Sequence, residues 1–509
     1  MSRRHTVVLL AILGLGATLR LWTIGDGLPY VPAVDEPVIF SRVADMMKTG
    51  DLHPHVFDYG GLIFYFHLAV AWVAFAVGRM AGAMPPLEQV APSDLFLWGR
   101  VATALVGTAI IYVVFRAASR WGLAVAFLAA AAIAVQPMLV QSAHFALTDT
   151  PLVFFVALTL LLSLRAAESG TSAAFAWAGV AAGLATGVKY TGGLAGLMPL
   201  AAMFASVPPG RWPGTAAALF GGAASAYLVV APYTLIDYRG FREGIEKLQT
   251  YYNRPMSFAF KADLYRKYMM DWFGLPGRLP RDYYAWPAAI VTLVGLGAIA
   301  SGILARDGRA RTAIMLVFPI AFFLFIANQS LSFGRYAMPM IPIIAIGLAA
   351  GMVRIYDVVA RRLPVLAPIA RVALLLLFLL PLLQAASFSR GREPKDTLEL
   401  MGEWMDRTVQ PGEPVVVEER WTPFSLPEHR FKARIVARLT EDPLEKYQGE
   451  GVVYLIWVNW EADDPFTNPQ FAAHAPGYSA LLKATELVQT FTPPAGVPGP
   501  TVRVLRVPR

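Results

Sequence analysis

Apolar stretches of roughly 15 to 20 residues recur along this chain from residue 7 to residue 386, each long enough or nearly long enough to cross roughly 30 Å of hydrocarbon. No other feature constrains the fold as strongly. The chain is 56% hydrophobic and only 15% charged, whereas a soluble domain carries roughly a quarter charged residues. A water-soluble fold has no interior large enough for that apolar surface, so the bilayer is the solvent for about three quarters of the chain.

The apolar runs place spans at residues 7–24, 101–115, 123–135, 152–164, 175–188, 192–205, 214–231, 286–304, 313–327, 338–353 and 366–386. The sequence thus predicts an α-helical polytopic membrane protein of about eleven transmembrane helices. The first run follows Arg3 and Arg4 and has the basic start of a cleaved signal peptide, but further spans follow and no small-residue cleavage site is evident near residues 26–31, so it reads as a retained helix.

Charge placement sets the orientation. The net charge of +8 would suggest nucleic acid in a soluble protein, but here the basic residues cluster between apolar runs, as the positive-inside rule requires, and no nucleic-acid partner is expected. With the N-terminus inside, the inner loops hold Arg116 and Arg120, Arg165, Arg211, Arg306 with Arg309 and Arg311, and Arg354 with Arg361 and Arg362. Counting the apolar run 61–78 as a span would move those clusters outside. It is therefore read as a juxtamembrane helix in the outer leaflet. The outer face is then built from a first loop at 25–99, a loop around 136–149 and a tyrosine-rich loop at 233–285.

Residues 1–389 make the transmembrane part, and the character changes at 390–509. There "DTLELMGEWMDRTV" has helical spacing, while "EPVVVEE", "ARIVARL", "GVVYLIWVNW" and "TVRVLRVP" read as strands between Pro and Gly turns. A small extracytoplasmic α/β domain is expected. The chain has no cysteine, which excludes disulfides, a thiolate nucleophile and a cysteine metal site.

Polar residues with chemical potential collect on the outer side. Asp35 and Glu36 open the first loop in "VPAVDEPVIFSRVADMMKTGD". His144 and Asp149 lie in "QSAHFALTDTP", where Thr148 or Asp149 also suits helix N-capping before Pro151. Lys189 closes a span in "GLATGVKYTGG" and Arg335 opens one in "LSFGRYAMPMIP". Snorkelling explains a lone cation at a span end, but Arg335 sits on the side the positive-inside bias leaves poor in arginine, and a guanidinium can grip a phosphate bidentately. Carboxylates beside phosphate-gripping cations suit sugar transfer from a lipid phosphate. The leaving phosphate needs cations, here Arg335 and Lys189, and the attacking hydroxyl needs a base, here Asp35. One attack from the face opposite the phosphate inverts the anomeric centre.

Tyr59, Tyr190 and Tyr336 near the outer face are candidates for sugar stacking or phosphate binding, and an interfacial aromatic belt accounts for such residues as well. His53, His55, His67 and His144 can be assembled with Glu36 or Asp58 into a metal site, but no spacing is diagnostic and no metal or other cofactor is expected. A transporter or lipid-linked-sugar flippase is the alternative from another class; its path would need sites communicating with both faces, and the charges here sit at one.

In order and spacing, the acidic pair after the first span, "TDTP", "GLATGVKYTGG", "GRYAMPMIP" and the trailing "DTLELMGEWMDRTVQPGEPVVVE" domain resemble the C-type glycosyltransferases. The similarity is greatest to the protein O-mannosyltransferase superfamily, which includes the lipid A aminoarabinose transferases. That resemblance implies a polyprenyl-phosphate sugar donor, an inverting transfer at the outer face to a hydroxyl of a protein, lipid or glycan, and a multi-pass protein of the bacterial inner membrane facing the periplasm. It assigns the catalytic aspartate to Asp35 and the second-loop aspartate to Asp149. The chain departs from the family in two ways: "FDYGGLIFYFH" stands where the aminoarabinose transferases carry Lys-Pro-Pro-Leu, and Trp-Trp-Asp-Tyr-Gly is missing.

Overall fold

A computed structural model describes residues 2–271, 281–304, 308–331, 333–418, 431–494 and 499–508. Arg306, residues 272–280 of the outer loop and Glu419 of the "EPVVVEE" segment lie outside the described residues. Helices dominate as far as residue 390. They are α1 (Arg3–Leu21), α2 (Glu36–Thr49), α3 (Gly61–Met80), α4 (Phe96–Ala118), α5 (Leu123–Val135), α6 (Pro137–Ala143), α7 (Asp149–Ser169), α8 (Ser172–Val188) and α9 (Leu197–Ser206). There follow α10 (Trp212–Val230), α11 (Tyr233–Ile236), α12 (Tyr238–Tyr252), α13 (Phe258–Asp271), α14 (Arg281–Ala300), α15 (Arg309–Ile326), α16 (Ile341–Arg362), α17 (Ala367–Leu375) and α18 (Leu379–Arg390).

Among the described residues, nine helices are long and apolar enough to cross a membrane, or ten when the bent pair α5–α6 is taken as one span. The predicted count of about eleven is higher because α8 and α9 are apolar but have only 17 and 10 residues. The run expected to lie in the outer leaflet forms the 20-residue α3, which meets the length and hydropathy of a span.

The chain divides into two compact units: residues 1–22, 52–67 and 100–389 form one, and residues 23–51, 68–99 and 390–509 the other. In the first, Ile110, Val114, Ile133, Val153, Leu160, Phe318 and Ile346 belong to one continuous buried core. α8 lies on α10 with its glycines turned inward. A methyl added at Gly179 would fall 2.0 Å from the Leu219 carbonyl oxygen, and at Gly183 2.2 Å from that of Ala223. Backbones this close are the small-residue packing by which membrane helices associate without a hydrophobic drive.

The span at α5 breaks, bending by 54° into α6. Pro137 supplies no N–H, and the Gln136 side-chain oxygen accepts from the Met138 and Leu139 amides at 2.6 and 3.2 Å. The freed carbonyls at the end of α5 are satisfied from α1. Arg20, fully buried, donates to the carbonyls of Ile133 at 2.9 Å and Ala134 at 3.0 Å, and to Gly16 at 2.9 Å. Irregular backbone at membrane depth survives only with such partners.

In the second unit, α19 (Thr397–Thr408) starts at Asp396, whose carboxylate accepts from the Leu398 amide at 2.7 Å. After it come β1 (Pro414–Glu418), β2 (Lys432–Val436), α20 (Leu444–Gly449), β3 (Tyr454–Asn459), α21 (Ala475–Ala484), β4 (Glu486–Phe491) and β5 (Thr501–Arg506). The sheet order is β2-β1-β3-β5-β4, with β1 parallel to β2 and β3, and β5 antiparallel to β3 and β4. Both faces are covered. Val415, Val417, Ile456 and Val504 pack with Leu398, Met401 and Met405 of α19, while Val416, Leu455, Trp457 and Leu505 pack with Tyr447, Tyr478 and Leu481. Strands buried on both sides read as unbroken apolar runs, which is why "PVVV" and "YLIWV" were legible. The same unit holds the start of the first loop: the Tyr30 ring lies flat on α19 where Gly402 has no side chain, its hydroxyl bonds Asp406, and Asp26 pairs with Arg392.

Candidate active site

The first turn of α7 carries the centre of the site. Thr148 occupies the cap position without a side-chain capping bond, and Asp149 is the first helical residue. Its carboxylate, only 6% exposed, turns to two cations instead of the helix amides. Lys189 Nζ lies 3.2 Å from Oδ1 and Arg335 Nε 3.6 Å from Oδ2. The three sequence-predicted charges therefore meet, although 40 and 186 residues separate the aspartate from the lysine and arginine along the chain.

Each cation stands where a helix stops. Lys189 follows α8 in extended conformation, and Arg335 opens a 3-10 turn, Gly334–Met340, ahead of α16. One carboxylate between two cations leaves a net positive charge, to which the N-terminus of α7 adds. An anion is the complement of such a site.

The tyrosines frame the pair. Lys189 Nζ sits 4.7 Å from the centre of the Tyr336 ring, a cation–π contact, and the Tyr336 hydroxyl lies 3.0 Å from that of Tyr252 at the end of α12. Arg335 lies over the Phe333 ring at 5.2 Å. Tyr190 donates to the Phe57 carbonyl at 3.0 Å; burial, with Tyr227 and Asp58 nearby, pushes its hydroxyl up, so it stays a donor. These side chains, except Phe333, border a cavity of about 380 Å³ together with Asp58, Gln249 and Asn253 and with apolar Leu152, Phe322 and Ile326.

The remaining predicted residues have local partners. His53 Nδ1 accepts from the His55 amide at 2.6 Å, and its Nε2 lies 3.3 Å from the Asp237 carboxylate. Asp237 caps α12 through the Gly240 amide at 3.0 Å, and the His55 ring stacks on His53 at 4.1 Å. The Tyr59 carbonyl lies 3.4 Å from the Tyr190 hydroxyl. His144, buried, has its ring nitrogens 2.8 Å from the carbonyl oxygens of Val140 and Trp22 and so ties α6 to the end of α1. Asp35 and Glu36 belong to the other compact unit. There Asp35 is the residue before α2 and half-buried, and buried Glu36 folds back to accept from the Ala33 amide at 2.7 Å. Among the described residues, no group of three or more His, Asp or Glu is arranged to hold a metal ion.

Residues 94–236 match the family model of the dolichyl-phosphate-mannose-protein mannosyltransferases. No curated protein matches the chain. Among solved structures, ArnT from Cupriavidus metallidurans bound to undecaprenyl phosphate is 17% identical, with a TM-score of 0.56 over 99% of this chain and 98% of that one. The Archaeoglobus fulgidus oligosaccharyltransferase, in complex with Zn and sulfate, is 15% identical, with a TM-score of 0.56 over 97% of this chain and 72% of that one. The protein has the C-type glycosyltransferase fold. Within it, the stretch that matches the mannosyltransferase model runs from just before α4 to the end of α11 and carries Asp149 and Lys189, whereas Arg335 lies beyond it. The fold also explains what local reading leaves unassigned. In the sequence Asp58 stands out only as a possible metal ligand, Tyr252 is one more tyrosine of the outer face, open to sugar or phosphate contact or to an aromatic belt, and Lys247 and Asp237 carry no signal. Their roles come from pairs 84 to 189 residues apart, Tyr252 with Tyr336, Asp237 with His53 and Lys247 with Asp58.

Proposed function

We propose that this protein is an inverting glycosyltransferase that moves a sugar from a polyprenyl-phosphate carrier to a hydroxyl of a protein, lipid or glycan. The observation that carries the reading is the pair of cations, Lys189 and Arg335, held on one buried carboxylate at the edge of a cavity. Similarity of fold to a protein crystallised with undecaprenyl phosphate supports the same donor class. The carrier's phosphodiester takes the place of Asp149 as partner to the two cations, in whole or in part, and the apolar wall receives the first prenyl units.

In the reaction the acceptor oxygen attacks C1 of the sugar while the C1–O bond to phosphate breaks. The bonding pair leaves with polyprenyl phosphate, whose gathering charge Arg335 and Lys189 stabilise. The acceptor proton passes to Asp35, the first-loop carboxylate assigned as general base. Tyr336 and Tyr190 line the phosphate site, and His53, His55, Tyr59 and His144 are the proposed substrate-side residues. No cofactor is invoked. The proposed setting is the bacterial inner membrane, with the site and residues 390–509 toward the periplasm.

The test is release of polyprenyl phosphate from a panel of polyprenyl-phosphate sugars by the full chain in nanodiscs, with crude acceptor extract present. Asp35→Asn keeps the shape but cannot take a proton, and is expected to lower turnover by about 10²- to 10⁴-fold with donor binding retained. Undiminished release in the variant would remove Asp35 from its role. No release from any donor by the wild type would favour a carrier-translocating protein instead.

A further inference from the structure

Apart from Asp58 and Tyr190, the polar side chains bordering the cavity fall into two sets. Asp149, Lys189, Arg335, Tyr336 and Tyr252 are engaged with one another. The second set is Thr191, Gln249, Asn253 and Gln329, which also line the cavity; among the described residues their side chains make no hydrogen bond to protein. Gln249 and Asn253 stand four residues apart at the end of α12 and so share a face. Three amides and a hydroxyl supply donors and acceptors side by side, the combination that sugar hydroxyls need, since each hydroxyl gives and takes a hydrogen bond.

Charge narrows the ligand further. Asp58 is the other carboxylate on the cavity wall, and Lys247 of α12 neutralises it at 2.9 Å. Asp149 and Asp58 set against Lys189, Arg335 and Lys247 leave one positive charge in excess. One phosphodiester cancels it. An ammonium-bearing sugar would restore the excess and compete with Lys247 for Asp58.

We infer that Thr191, Gln249, Asn253 and Gln329 form the sugar-reading part of the cavity and that the Asp58–Lys247 pair selects a neutral, polyhydroxylated sugar over an amino sugar. The inference rests on the donor reading above. Binding by selectivity through unpaired donors and acceptors, and through an ion pair that a wrong ligand must break, is the usual source of such discrimination.

The experiment measures binding of three probes to the full chain in nanodiscs: bare polyprenyl phosphate, a hexosyl polyprenyl phosphate and its amino-sugar counterpart. The hexosyl carrier is expected to bind about tenfold more tightly than either of the others, the equivalent of one or two net hydrogen bonds. Gln249→Ala should erase that advantage without changing affinity for the bare carrier, and Thr191→Val should reduce it. Lys247→Ala should bring the amino-sugar carrier to within about threefold of the hexosyl one, because Asp58 is then open to an ammonium. Equal or tighter binding of the amino-sugar carrier to wild type would overturn the inference, as would equal loss of bare and hexosyl carrier in Gln249→Ala. Failure of the bare carrier to bind at all would instead overturn the donor reading, and this inference with it.

Discussion

Two regions of the helical unit deal with buried positive charge in different ways. On α1, Arg20 is enclosed and gives its donors to three backbone carbonyls, two of them freed by the break between α5 and α6. Lys189 and Arg335 are 25% and 39% exposed, and both lean on one carboxylate beside a cavity. The first arrangement is closed: Arg20 is fully buried and its terminal nitrogens are spent on backbone carbonyls. The second is exchangeable, because a phosphate can offer the two cations what Asp149 offers them. A buried cation whose partners are carbonyls belongs to the fold, whereas one whose partner is a carboxylate at a cavity wall is available for chemistry.

Substitution at Arg20 should produce the largest effect on folding and none specific to the donor. Arg20→Met leaves buried carbonyls unsatisfied at about 1–3 kcal/mol each, so a loss of about 3 kcal/mol or more is expected, seen as a lower melting temperature or failure to accumulate. The fraction that does fold should bind polyprenyl phosphate with wild-type affinity. Weakened binding at unchanged stability would break the distinction between the two regions. Arg335→Ala should do the reverse, with stability nearly unchanged and affinity for polyprenyl phosphate reduced by about tenfold or more through loss of a charge-assisted partner. Titration calorimetry at two salt concentrations would sharpen this, since the surviving affinity should also depend less on salt. Unaltered affinity in Arg335→Ala would withdraw the arginine from the phosphate site.

The contrast between these regions was only half visible in the sequence. Spans, the outer position of Asp149, Lys189 and Arg335, and the strands β1 and β3 follow from patterns a few residues long, because hydrocarbon and a two-sided core both impose continuous apolar runs, while β2 and β5 are marked by β-branched residues between turn signals. Arg20 carries no such mark: an arginine at a span end looks the same whether it snorkels or reaches the carbonyls of residues 133 and 134. β4 was missed for a related reason. Like β2 it is an edge strand whose side chains are exposed or half-buried, but "ELVQTF" lacks the adjacent β-branched Ile435 and Val436 that mark β2. The pairs Tyr252 with Tyr336 and Lys247 with Asp58 arise when α12 is brought beside the cavity, and no local rule encodes that.

The second unit supplies a smaller effect that extends the comparison to a half-buried negative charge. Burial raises the Asp396 carboxyl above the usual carboxylate range, with Asp26 adding to the rise, while the Leu398 amide and Arg392 pull the other way. The folded state therefore holds a proton there at pH values where the unfolded chain has lost it. Stability of this unit falls as pH rises from the ordinary carboxylate value through the raised one, and above that the full cost of the buried charge remains. Asparagine caps a helix about as well as aspartate and carries no charge. Asp396→Asn should then raise the melting temperature of this unit at neutral pH by about 1 to 2 °C and flatten its decline across the acidic window, measured by amide exchange in α19 of the full chain. Loss of stability at neutral pH would mean that the carboxylate's bond to the Leu398 amide outweighs the cost of burying its charge. Asp396 would then resemble Arg20 in being an ion held in place by the backbone groups around it.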